Sequence, residues 1–341
     1  MAHYFESGFF TREKAWHGLG QTLAESPATA REAIAAAGLD WQVQLAPCYA
    51  DVGGQRIPLE DTRATVREVW GADGVRVDSL GVVGDRYTPL QNRDAFGFFD
   101  AFIQSGEAEY EAAGSLKGGR LVWILAKLTG EEAEVGTKAG DTVRPYLLLS
   151  TSHDGTRSTS VQFTPIRVVC WNTLSASYRA ENAQNSRKVR HTARAADRLA
   201  EIRGTIDTAR ADFSAMRDAW RELSAYRLPE SNAAAADVVR TYSRIVFGDP
   251  SAVKRAMADK APLPEVRAEA DIWRLLHRGP GADSAGRTAF GLLQAATHYL
   301  DHVAGRTPES RLAASWTGAA AETRQRATDS ALALIGAGGA R

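Results

Sequence analysis

Ser152-His153-Asp154-Gly155 and Cys170 supply the parts of a cysteine–histidine nucleophile, with Asp154 as the group that would orient the imidazole. That chemistry needs thiolate and imidazole within hydrogen-bond reach. His153 falls at a hairpin tip and Cys170 at the far end of the return strand. A dozen residues at about 3.3 Å each then separate them by on the order of 40 Å along the ribbon. Behind Val168 and Val169, Cys170 reads better as a small buried hydrophobe. His298 and His302 stand four apart on a helix with Asp301 between them, a spacing that suits a metal ligand pair. The zincin pattern needs Glu directly after the first His, and Tyr299 stands there, so neither a metal nor another cofactor is expected. Walker A, Gly-x-Gly-x-x-Gly and Gly-x-Ser-x-Gly patterns are absent, and no catalytic residue is assigned.

Basic residues offer a different chemistry. Between Thr142 and Arg198 stand nine cations (Arg144, Arg157, Arg167, Arg179, Arg187, Lys188, Arg190, Arg194 and Arg198) against the three anions Asp154, Glu181 and Asp197. Arginines three and four apart on a helix form a stripe suited to a phosphate backbone. Trp171, Tyr178 and the amides of Asn172, Asn182 and Gln184 add stacking and hydrogen-bonding groups beside it. A solvated helix face is the plainer reading of the same run.

The remaining composition is neutral ground. The 341 residues hold 41 Lys+Arg and 41 Asp+Glu, so no net field advertises nucleic acid or membrane. Cys48 and Cys170 are the only cysteines, too few for a disulfide framework or a cysteine-rich zinc module. No apolar run reaches the ~18 residues of a membrane span, and the start lacks signal-peptide character, so a cytoplasmic protein is expected.

The elements that must position these groups read as α+β. Residues 1–185 form an α+β domain with an antiparallel sheet, 186–228 a long basic helix, and 229–341 a helical region. Residues 5–21 read as irregular, with a Gly-punctuated loop at Trp16-His17-Gly18. Thr29–Ala37 is a helix stopped by Gly38. Strands are expected over Trp41–Tyr49, Thr65–Trp70 and Val75–Val83, and a helix over Asn92–Ile103 with Asn92 as its N-cap. Tyr110–Leu116, Arg120–Leu128, Arg144–Ser150 and Ser158–Val169 follow as an antiparallel meander, and residues 130–141 as a loop. From Leu199, apolar residues recur through Ile202, Ile206, Ala209, Phe213, Met216, Trp220 and Leu223 in alternating steps of three and four, a 3.5-residue seam. That seam predicts a helix from Arg187 to about Tyr226, packed either on later helices or on a second copy. Ala234–Phe247 is expected to fold back along it, and Glu265–Arg278, Gly286–Val303 and Ala319–Ile335 to be further helices.

Four stretches carry a family resemblance. They are Trp16-His17-Gly18-Leu19-Gly20; Val82 to Asn92 with Tyr87 and Pro89; Ser152-His153-Asp154-Gly155 with Arg167 to Leu174, including Cys170 and Asn172; and Tyr299-Leu300-Asp301-His302. Together they resemble the phage/plasmid-like proteins containing the uncharacterised domain of unknown function 932. That resemblance implies a mobile-element context and no established activity. A looser similarity of element order, helix then meander then basic helix, is to the Rad52-like single-strand annealing proteins, recombination proteins that hold single strands in a basic groove.

The resulting expectation is a single-stranded DNA- or RNA-binding protein, working as a homo-oligomer without cofactor and away from membranes. Arg144, Arg157 and Arg167 would line one face of the sheet, and Arg187, Lys188, Arg190 and Arg194 the helix beside it, with Trp171 stacking. The alternatives are an enzyme using His153, Asp154 and Asn172, and a non-catalytic assembly or host-interaction factor.

Overall fold

Ala95, Phe96, Phe99 and Phe102, spaced by three and four, bury one face of a helix, and a sheet forms beneath it. The computed structural model describes residues 5–11, 20–71, 74–167, 172–173, 186–189, 205–305 and 321–338. Its architecture is α+β, with antiparallel sheet in the N-terminal half and helices in the C-terminal half. The strands are β1 (Phe5–Thr11), β2 (Gln21–Leu23), β3 (Gln44–Val52), β4 (Gln55–Gly71), β5 (Gly74–Gly84), β6 (Ala108–Leu116), β7 (Leu121–Leu128), β8 (Ala133–Glu134), β9 (Thr142–Ser152), β10 (Thr159–Arg167), β11 (Asn172–Thr173) and β12 (Ser186–Val189). The helices of the first half are α1 (Ala30–Ala37) and α2 (Asn92–Gln104).

The larger sheet runs β11-β10-β9-β7-β6-β1-β2, with β12 on β10 and β8 on β9. All its pairings are antiparallel except β1 with β2. The expected meander is therefore present as β6-β7-β9-β10. α1 and α2 pack on each other and on β6, and Tyr110 of β6 donates its hydroxyl to the Phe96 carbonyl at 3.0 Å. β3, β4 and β5 form a separate three-stranded antiparallel blade.

The chain folds into two compact units, both discontinuous in sequence. The first comprises Met1–Gly130, Tyr146–Phe163 and Ser186–Ile206; the second comprises Glu131–Pro145, Thr164–Asn185 and Asp207–Arg341. The second unit holds α3 (Thr205–Ala225, but for its first two residues), α4 (Asn232–Phe247), α5 (Pro250–Ala258), α6 (Ala268–Arg278), α7 (Ala282–Ala285), α8 (Ala289–His298) and α9 (Ala321–Gly338). α8 is buried from Ala289 to Thr297 and continues into a π-helical turn, Tyr299–Val303. Within that turn Asp301 is buried in an ion pair with Arg324 of α9.

Several expectations are corrected. Residues 5–11, read as irregular, form β1, where both Phe9 and Phe10 are buried because the strand is covered on two faces. The N-cap of α2 is Gln91; Asn92 is the first helical residue, and its amide is used elsewhere. Arg187 and Lys188 stand in strand β12, since backbone pairing with β10 claims this stretch before α3 begins at Thr205. α3 itself carries three arginines against four acids, so the described helix is not basic. Of its seam, Phe213, Met216, Trp220 and Leu223 are buried, while Leu199 and Ile202 lie outside the described residues. α4 packs on α6 and α9, with the Tyr242 hydroxyl donating to Ala327 O at 3.0 Å. The stretch 130–141 holds β8 and is tied down where the amide and hydroxyl of Thr137 both donate to Ser284 O.

Candidate functional site

Two groups of residues in the first unit bear on function. One is a buried chain of polar and aromatic side chains. Asn92, opening α2, lies beside His153, where the β9–β10 turn begins. The Asn92 amide nitrogen donates to Leu39 O at 3.0 Å, so its Oδ1 faces His153 Nε2, also at 3.0 Å. An amide oxygen only accepts, so Nε2 carries the proton. Trp41 meets the imidazole edge to face at 5.4 Å, and the guanidinium of Arg67 stands 4.8 Å over the Trp41 ring. Arg67, only 4% exposed, forks onto Glu6 and also reaches Asp78 at 3.3 Å, while Ser115 donates to Glu6 at 2.9 Å. Such pairing is what makes a buried guanidinium tolerable.

Backbone geometry fits this chain closely. Gly119 sits at φ +82, and a Cβ there would fall 2.6 Å from Arg67 Nη1. At Gly81 a Cβ would fall 2.5 Å from the Cα of Asp154, so β5 reaches the β9–β10 turn only through glycine. Asp154 holds that turn with its carboxylate, accepting from the Thr156 amide at 2.9 Å and the Thr156 hydroxyl at 2.6 Å. Gly155 takes φ +74 beside it. Tyr87 donates to Ser152 O at 3.0 Å, and burial, with Asp154 nearby, raises its phenol well above the usual range. Gln91 clamps Val43 through both its N–H, at 2.9 Å, and its carbonyl, at 3.0 Å. Pro89 is half-buried between these anchors.

Tyr87, Asn92, His153, Asp154 and Gly155, picked out by sequence from two distant stretches, are thus brought together. Trp41, Arg67 and Glu6, which complete the chain, carried no motif; a lone arginine in an alternating strand gives no sign that it points inward. The arrangement ties β5, α2, the segment before β3 and the β9–β10 turn into one piece. His153 is 0% exposed, and an imidazole used as acid or base must be reachable by substrate or water. Asp154 is a turn residue, not the orienter of an imidazole.

The second group is the β10–β12 edge. The register sets Lys188 opposite Ser160 and Arg187 opposite Val161, three and four residues along from the exposed Arg157 that precedes β10. Some thirty residues of sequence separate Arg157 from Arg187 and Lys188, and backbone pairing sets their two stretches on neighbouring strands. Arg144 lies in the second unit, ion-paired with Glu132 at 2.7 Å. Arg167 ends β10 and Asn172 pairs with it across the β10–β11 ladder. Trp16, His17, Gly18, Cys170, Trp171, Arg190 and Arg194 lie outside the described residues.

In the second unit the rings of His298 and His302 stack at 4.4 Å. Among the described residues no cluster of three or more His, Cys, Asp or Glu is arranged to hold a metal, and no helix is long and apolar enough to cross a membrane.

Comparison with known proteins gives one family match. The family described as "Domain of unknown function (DUF932)" matches residues 79–331, from the middle of β5 into α9. No curated protein and no solved structure matches.

Proposed function

We propose, for a chain that belongs to the DUF932 family, a single-stranded nucleic-acid-binding function exercised at the β10–β12 edge. The observation that carries this reading is the pairing of β12 with β10, which sets Arg187 and Lys188 along the strand that Arg157 precedes. Cations along one sheet edge follow a phosphate backbone and displace its counterions, while the bases stay outward for stacking or pairing. The order of elements, α2 and then the β6-β7-β9-β10 meander, supports an annealing role by analogy with Rad52-like proteins, working as a homo-oligomer in a phage or plasmid context. The burial of His153 and the use of Asp154 as a turn residue weigh for binding over catalysis.

The test is the binding of a fluorescent single-stranded oligonucleotide as salt is raised. Affinity should fall log-linearly, by about 0.7 in slope for each phosphate contacted. No binding at low salt, or an affinity indifferent to salt, overturns the reading.

A further inference from the structure

Nine of the ten large apolar side chains exposed among the described residues belong to the β3-β4-β5 blade. Such clustering is a mark of a contact surface. The blade carries four arginines against six acids between residues 44 and 84, so phosphate is not what it attracts. Its most exposed members lie on one face: Trp70 pairs with Val75 and Glu68 with Val77 across β4 and β5, and Trp70 is 77% and Val77 63% exposed. Arg67 and Asp78 occupy the opposite, inward face.

Among the described residues β5 is also an edge strand, paired only with β4. Gly71 pairs with Gly74 with only two residues of sequence between them, so that pair is hydrogen-bonded in both directions, and bonding alternates from there. Residues 74, 76 and 78 therefore spend their N–H and C=O groups on β4, while those of Val75, Val77 and Ser79 point to the open edge. Such an edge is a template for another strand.

We infer that the occupant is β5 of a second copy, paired antiparallel about a two-fold axis through Val77. In that register Val77 bonds Val77 of the other copy, and Val75 bonds Ser79, so all the outward backbone groups of this stretch are matched. The charge pattern fits the same centre. Arg76 and Asp78 flank Val77, and the two-fold sets each Arg76 directly across from the other copy's Asp78, where side chains of a non-hydrogen-bonded pair lie closest. Arg76 is 70% exposed and already bonds its own Asp78 at 2.7 Å, so exchange between copies keeps each charge paired. On the outer face Trp70, Val75 and Val77 of both copies become one continuous apolar strip.

Sedimentation of the full chain tests this, with circular dichroism and thermal melting as controls for folding. The wild type should sediment as a dimer at about 100 µM, within reach of a small interface. Val77→Pro removes an N–H that β4 does not use, and Arg76→Asp sets acid against acid. Each should raise the dimer dissociation constant at least tenfold, and Arg76→Asp carries the test should the proline variant lose its fold. Val52→Asp, at the other end of the blade, should leave the dimer intact. A monomeric wild type, a folded Arg76→Asp that still dimerises as the wild type does, or a dimer dissolved by Val52→Asp alone overturns the inference.

Discussion

Asn92→Ala tests whether the residues shared by the family stretches build a fold or a reaction centre. Asn92 is 1% exposed, and its two shortest hydrogen bonds out of water, each 3.0 Å, go to His153 Nε2 and to Leu39 O. Truncation leaves both partners buried with that bond unmade, at about 1–3 kcal/mol each, so about 2–6 kcal/mol in total. At about 2–4 °C per kcal/mol for a unit of this size, the melting of the first unit should fall by roughly 5–20 °C. Calorimetry resolves the transition, and near-ultraviolet dichroism reports the packing of Trp41. Asn92→Asp should fare no better: it keeps an acceptor for His153 but loses the donor to Leu39 and buries a charge. Oligonucleotide binding by whatever fraction stays folded should be near that of the wild type. A melting temperature unchanged to within about 1 °C would refute the structural reading, because only substitutions away from buried, bonded groups are that close to neutral.

Gly119→Ala should destabilise the first unit, since the residue takes positive φ and the new Cβ meets the Arg67 guanidinium at 2.6 Å; urea unfolding reads the loss. Asp301→Asn in the π-helical turn removes the charge that pairs with the 4%-exposed Arg324, and the second unit's melting temperature should fall. Glu269 accepts hydrogen bonds from Arg244 at 2.8 Å and from the Val266 amide at 3.1 Å, and these, the first above all, hold its carboxyl below the usual range. Its folded pKa lies below its unfolded one, so this contribution is complete above about 4.5 and is lost as the pH falls through the lower folded value. Glu269→Gln should flatten that part of the acid limb in a pH series of melting curves; an unaltered limb would show that other carboxylates set it.

Where period and turn chemistry agree, the sequence is an adequate guide. The meander follows from two glycine-bearing hairpins, α2 from its phenylalanine spacing, and the seam of α3 from its steps of three and four. Local pattern misleads where long-range pairing decides. Ser186–Val189 looks like the lead-in to a helix, yet it pairs with a strand some twenty-five residues earlier. Phe9 and Phe10 show no alternation because β1 is buried on both faces, which hides a strand from any period-two reading. The contact of α4 with α9, made through Tyr242, has no local signal either: Val239, Tyr242 and Val246 form an apolar face that could meet any helix. Of the buried chain, sequence shows Asn92 and His153 by their motifs; Arg67, Trp41 and Glu6 join it through tertiary contact alone.

The most direct test of a nucleic-acid interface at the β10–β12 edge is charge reversal there. Arg157→Glu, Arg187→Glu and Lys188→Glu together, measured by fluorescence anisotropy with a single-stranded oligonucleotide over a salt series, should weaken binding at low salt by orders of magnitude. If all three cations contact phosphates, the salt slope should shrink by about 2. Arg144→Glu, whose partner is Glu132, should change binding little. A triple variant that stays folded and binds with the wild-type affinity and slope would contradict the account.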